Sequence, residues 1–159
     1  MRLLAAVLLL LTACTSGPTP NAEAADPYAT LRTAYAARDP AMAASAYTPD
    51  AQLIYEYDTT SVYAGTAEIR ASFADFFDQI APEDALDLNF RIASRTATES
   101  GFEDRGIYRL RAGAEITSYG GFETRLDGTS GRFVSDTGTA ATREDFEALP
   151  GDLMFPDAP

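Results

Sequence analysis

The chain has 159 residues, 46% of them hydrophobic, with 12 basic and 24 acidic side chains and a formal net charge of −12. So acidic a surface repels nucleic acid and anionic lipid headgroups, and neither is expected as a partner. Histidine, tryptophan and lysine are absent and the one cysteine is Cys14, which excludes from this chain a Ser-His or Cys-His nucleophilic site, a Schiff-base or P-loop lysine and any histidine-ligated metal or haem.

What chemistry remains falls to Asp, Glu, Tyr, Arg, Ser and Thr, and no cofactor is expected. Arg2 precedes an apolar run, Leu3 to Leu11. The run is too short to cross a bilayer as a mature helix and reads as a cleaved secretion signal. Leu11-Thr12-Ala13-Cys14 resembles the lipobox of a bacterial lipoprotein, which implies a signal peptide over 1–13 and lipid on Cys14. Without Arg2, 11 basic residues face 24 acidic ones, a net charge of −13. In Gram-negative lipoproteins an aspartate after the cysteine goes with inner-membrane retention. Thr15 stands there, so the resemblance implies an anchor on the periplasmic face of the outer membrane. Residues 15–25 are small, polar and proline-containing, and are expected to be a disordered tether.

A single domain is expected over 26–149. Asp26-Pro27 is an N-cap with proline at the first helical position, and Tyr28, Leu31 and Tyr35 follow at helical spacing. Asp39-Pro40 starts a second short helix, which Pro49-Asp50 ends. Ala51 to Tyr57 reads as a strand with Leu53, Tyr55 and Tyr57 on one face, followed by a turn and a short strand, Val62-Tyr63. From Gly65-Thr66 to Pro82, the positions Ile69, Phe73, Phe76, Phe77 and Ile80 form one helical stripe, with Arg70, Asp75 and Asp78 facing away. Four strands follow: Leu86 to Ile92 with its even positions apolar, Phe102 to Arg111, Ser118 to Leu126, and Arg132 to Thr139 after the turn Asp127-Gly128-Thr129-Ser130-Gly131. Thr142 and Asp145 are spaced as a capping box for a terminal helix reaching Leu149, and 150–159 reads as a tail.

This order, with Tyr47-Thr48-Pro49-Asp50-Ala51 and Tyr63-Ala64-Gly65-Thr66-Ala67-Glu68-Ile69-Arg70 ahead of Phe73, resembles the NTF2-like superfamily, in particular SnoaL-like and DUF4440-like domains. Gly106-Ile107-Tyr108, Gly121 to Gly128 and Gly131-Arg132-Phe133 add to the likeness, which covers roughly residues 26–140. It implies an α+β cone: a strongly curved sheet around the long helix, with a concave pocket for a small apolar ligand and a convex face that often forms a homodimer. Ketosteroid isomerase is a relative whose chemistry does not carry over. Its general-base aspartate falls at Tyr55, with Glu56 one step off; its helix tyrosine falls at Leu31; its second aspartic acid falls near Phe122, beside Glu123. A one-residue slip in a strand reverses the side chain's face.

On this reading Asp104 is the carboxylate on the inner, even face of its strand, a candidate general acid or base. The alternative is a solvated carboxylate at the rim. Tyr55, Tyr57, Tyr108, Phe73, Phe77 and Phe122 are candidate ligand-binding residues, or else core. Arg105, Arg109 and Arg111 are expected on the outer, solvent or dimer face. Glu83, Asp84, Asp87 and Asn89 read as a solvated loop, since no metal-loop spacing is present. Three functions stay open: a binder of a small apolar molecule, a cofactor-free isomerase, cyclase or hydratase, and an interaction module with a filled cone.

Overall fold

A computed structural model describes residues 26–150 and Met154. The expected signal peptide, Cys14, the tether and most of the tail lie outside the described residues.

Helix α1 (Pro27–Ala37) starts as its sequence predicts: the Asp26 carboxylate accepts from the backbone amides of Tyr28 and Ala29. Arg38 ends it in the left-handed region, with φ 50°. That strained position aims the Arg38 guanidinium at the far end of another helix, α3 (Gly65–Asp78). It donates to the carbonyls of Phe77 and Ile80 at 3.2 and 3.0 Å and to that of Asp84 at 2.7 Å. The carbonyls at a helix C-terminus lack intrahelical partners and carry partial negative charge, so one cation here ties α1 to α3. Helix α2 (Pro40–Ser45) is capped by Asp39, and α4 (Arg143–Ala148) by the reciprocal Thr142–Asp145 box.

Six strands, β1 (Tyr47–Glu56), β2 (Thr60–Ala64), β3 (Leu86–Ala97), β4 (Gly101–Ala112), β5 (Glu115–Asp127) and β6 (Phe133–Ala140), form one sheet in the order β2-β1-β6-β5-β4-β3. Every pairing is antiparallel except β1 with β6. The sheet is curved and open. α1 packs against β3, and α3 against β1 and α2. β1 starts at Tyr47, four residues before the expected Ala51, because Pro49-Asp50 rides in a register irregularity between Tyr47 and Gln52 and does not end the strand.

The core beneath α1 is aromatic. Tyr28 lies 5.0 Å from Phe90, 5.1 Å from Phe133 and 5.8 Å from Phe122, ring centre to ring centre. Such aromatic pairs stabilise by about 0.5–1.5 kcal/mol each beyond the area they bury. On the opposite face of the sheet, Phe146 of α4 is buried under the Arg91 guanidinium, 4.6 Å from its ring centre. Arg91 also donates to the Phe146 carbonyl at 2.8 Å. Arg109 lies on this outer face as expected, but not in solvent: α4 covers it, its side chain is 10% exposed, and it lies 3.7 Å from Asp87. Arg105 does face solvent, paired with Glu123 at 3.0 Å. Asn89 is fully buried in β3 and is no part of a solvated loop. The tail returns to the domain at Met154, whose amide donates to the Phe90 carbonyl on the edge strand β3.

Candidate functional site

The concave side of the sheet encloses, with α1 and α3, a cavity of about 530 Å³. All eight tyrosines of the chain line it. Helix α1 contributes Tyr28 and Tyr35. Strand β1 contributes Tyr47 and Tyr55, with Tyr57 in the turn that follows and Tyr63 on β2. Tyr108 comes from β4 and Tyr119 from β5. Phe73, Phe76, Phe90, Phe122 and Phe133 complete the aromatic wall. Tyr57, Asp75 and Gln79 line the cavity while remaining exposed to solvent, which marks its opening.

Glycines placed opposite aromatic residues decide how these rings lie. Tyr108 on β4 faces Gly120 on β5, and Tyr55 on β1 faces Gly138 on β6. A Cβ at Gly120 would come 2.3 Å from Tyr108 Cζ, and one at Gly138 would come 3.1 Å from Tyr55 Cδ1. A ring can lie flat across a strand only where the neighbour has no side chain. The two tyrosines are thereby held along the wall, and the cavity stays open above them. At the opening the hydroxyls of Tyr57 and Tyr108 share a 3.1 Å hydrogen bond.

Two carboxylates rise from one row across the sheet. Register sets Arg95 of β3 beside Asp104 of β4, Asp104 beside Thr124 of β5, and Thr124 beside Asp136 of β6. Asp104 is fully buried and accepts from Arg95 Nε at 2.7 Å and Nη2 at 2.6 Å, a two-pronged ion pair. The Tyr28 hydroxyl donates to the same carboxylate at 2.8 Å. With its one hydrogen so engaged, Tyr28 accepts from Thr124 at 2.9 Å. Burial, then the Asp104 charge, holds the Tyr28 phenol well above its ordinary pKa. Asp136 lines the cavity and has no such cation. It accepts a hydrogen bond from the Tyr47 hydroxyl at 2.7 Å. Burial pushes the Asp136 carboxyl up to about 6, against the opposing pull of the Tyr47 hydrogen bond.

No family model matches the chain, and no curated protein matches it. Solved structures do. Aln2 from a Streptomyces species is 15% identical, with 72% of this chain and 85% of that one covered at a TM-score of 0.61. A protein from Xanthomonas campestris described as a calcium/calmodulin-dependent protein kinase II association domain is 18% identical over 73% of this chain and 84% of that one, at 0.55. A Catenulispora acidiphila protein with a ketosteroid isomerase-like fold, solved in complex with trimethylamine, is 11% identical over 79% and 92%, at 0.50. The chain has the NTF2-like cone fold. At such identities the likeness speaks for the fold alone.

Within this cone, Tyr55, Tyr57, Tyr108, Phe73 and Phe122 line the cavity. Phe77 does not: it lies on the buried side of α3, 5.2 Å from the Tyr35 ring, and Phe76 takes the cavity position. Asp75, expected to face away, stands at the opening. Asp104 needs the larger correction. It faces inward as expected, but it neither lines the cavity nor lies solvated at a rim, because Arg95 and Tyr28 enclose it. Besides Asp75 at the opening, the carboxyl that lines the cavity is Asp136, which sequence reasoning missed. Val134 to Thr139 has no apolar alternation from which a face could be read. No group of three or more acidic residues among the described ones is placed to hold a metal ion, the Glu83–Asp87 stretch included.

Proposed function

We propose that this chain is an envelope lipoprotein whose NTF2-like cone binds a small, largely apolar molecule. The observation that carries the reading is the cavity itself: about 530 Å³, walled by every tyrosine in the chain, with one half-buried carboxyl, Asp136, on its inner wall. Small-molecule sites are concave, mostly apolar and furnished with few polar groups, in the volume range of about 300–1,000 Å³. Such a cavity counts against a filled cone that serves only as an interaction module. Cys14, the tether after it and Thr15 support an anchor on the periplasmic face of the outer membrane. Among the described residues no helix is long and apolar enough to cross a membrane.

Native mass spectrometry of the full chain, purified from its own cells, tests the binding reading. Extra mass released on activation supports it and weighs the ligand; a clean protein mass, whether of monomer or dimer, counts against it. Palmitate labelling of wild type and Cys14→Ser tests the anchor: label is expected in the first only.

A second reading, a cofactor-free isomerase, cyclase or hydratase, is favoured by one observation. Asp136, with its pKa raised to about 6 by burial, is poised to exchange a proton near neutral pH beside the Tyr47 donor. Its acid–base group would be Asp136 and not the ion-paired Asp104. In an enzyme, Asp136→Asn abolishes turnover on the bound molecule.

A further inference from the structure

The cavity wall carries negative charge and no positive charge. Asp136 and Asp75 line it, and among the described lining residues there is no arginine. The chain has no lysine or histidine to supply a cation from elsewhere. An anion placed here would meet two carboxylates with no counter-ion. A tyrosine presents the negative face of its ring quadrupole, which attracts ammonium groups, and here eight of them line the same cavity as Asp136. Resting on the reading of the cone as a binding site, we infer that its occupant is an organic cation, an alkyl- or arylammonium whose charged nitrogen lies by the Asp136 carboxylate and whose apolar body fills the aromatic wall.

A pH signature follows. In the empty cone, burial keeps Asp136 protonated up to about pH 6. A cation needs the ionised form, so its affinity is full above that pH and falls as the carboxyl takes up its proton. With a pKa of about 6 the ionised fraction drops about tenfold from pH 7 to pH 5, and affinity drops with it. Tyr47 and Tyr55 of β1 and Tyr28 and Tyr35 of α1 are all held above their ordinary phenol range by burial, and so is Tyr108 of β4. Thr124, its neighbour on β5, does not ionise. Asp75 of α3 is exposed at the opening. A neutral ligand that accepts a hydrogen bond from the protonated carboxyl predicts the opposite slope.

The chain lacks tryptophan, so its ultraviolet emission is tyrosine emission, and every tyrosine reports on the cavity. The test titrates the purified full chain with benzyltrimethylammonium and with its neutral carbon isostere neopentylbenzene, between pH 4.5 and 8. Expected is at least about tenfold tighter binding of the cation at pH 7.5, a fall of about tenfold between pH 7 and pH 5, and loss of that slope in Asp136→Asn. Should the variant not fold, the wild-type profiles of the two compounds decide. Equal binding of both, independent of pH, overturns the cation and leaves the cone as a binder of neutral molecules. No response to either, together with a clean protein mass in the native spectrum, overturns both.

Discussion

Asp104 and Asp136 stand in the same row of the sheet with Thr124 between them, and both turn toward the interior. Each accepts a hydrogen bond from a tyrosine, Asp104 from Tyr28 of α1 at 2.8 Å and Asp136 from Tyr47 of the adjacent strand β1 at 2.7 Å. They differ in one neighbour. Asp104 has Arg95 across the β3–β4 ladder, whereas Asp136 has Leu53 across the β6–β1 ladder. The first carboxylate is closed off by an ion pair and fastens α1 to the sheet. The second has the Tyr47 hydrogen bond but no ion partner to offset its desolvation, and it lines the cavity. Burial alone therefore does not nominate a functional carboxylate; the side chain across the ladder does.

The strongest way to break this contrast is to remove the cation. Arg95→Leu leaves Asp104 buried without its ion partner. Because the arginine side chain is 46% exposed, the cost should fall at the low end for broken buried pairs, about 3 kcal/mol. Urea unfolding at pH 7.5 measures it.

Next in size is the pH dependence that Asp136 imposes. Its folded pKa is about 6 against 3.8 in an unperturbed chain, so the folded state holds the proton more tightly than the unfolded state. The stabilisation is complete below about pH 4 and is lost as pH rises through 6, a span of about 2–3 kcal/mol. Asp136→Asn should be the more stable protein at pH 7.5 and converge on wild type near pH 4, measured as the difference between the two unfolding curves. A constant difference across that range would remove Asp136 from the special position given to it.

Gly120→Ala sharpens the contrast from the cavity side. The new methyl must displace the Tyr108 ring from 2.3 Å, at about 1–2 kcal/mol, visible as a lower Tm and as altered tyrosine emission. Tyr57→Phe has the smallest effect. It removes only the hydroxyl pair at the exposed opening, worth below about 0.5 kcal/mol in the same unfolding assay.

The sequence reveals the helices and the fold class because their signals are local. Asp26-Pro27, the stripe from Ile69 to Phe77 and the Thr142–Asp145 box each lie within one or two turns. The even face of β4 is legible for the same reason. The partner of Asp104 is not. Within β3, Leu86, Leu88, Phe90 and Ile92 face inward, and by strict alternation Arg95 would face out. The ladder pairs Ile92 with Gly106 and then Ser94 with Arg105, so Ala93 is an extra residue that turns Arg95 inward. Nothing in Ile92-Ala93-Ser94 announces a bulge, and without it Asp104 reads as a free carboxylate. Asp136 was hidden differently, in a strand of small polar residues whose face only the β5 and β1 ladders define.

The most direct measurement is a carbon-13 titration of the aspartate side-chain carboxyls by NMR, in wild type and Asp136→Asn. The contrast between Asp104 and Asp136 predicts one aspartate resonance with its midpoint near pH 6 that is missing from the variant. A wild-type spectrum in which every aspartate has titrated by about pH 5, close to the ordinary range, would contradict it.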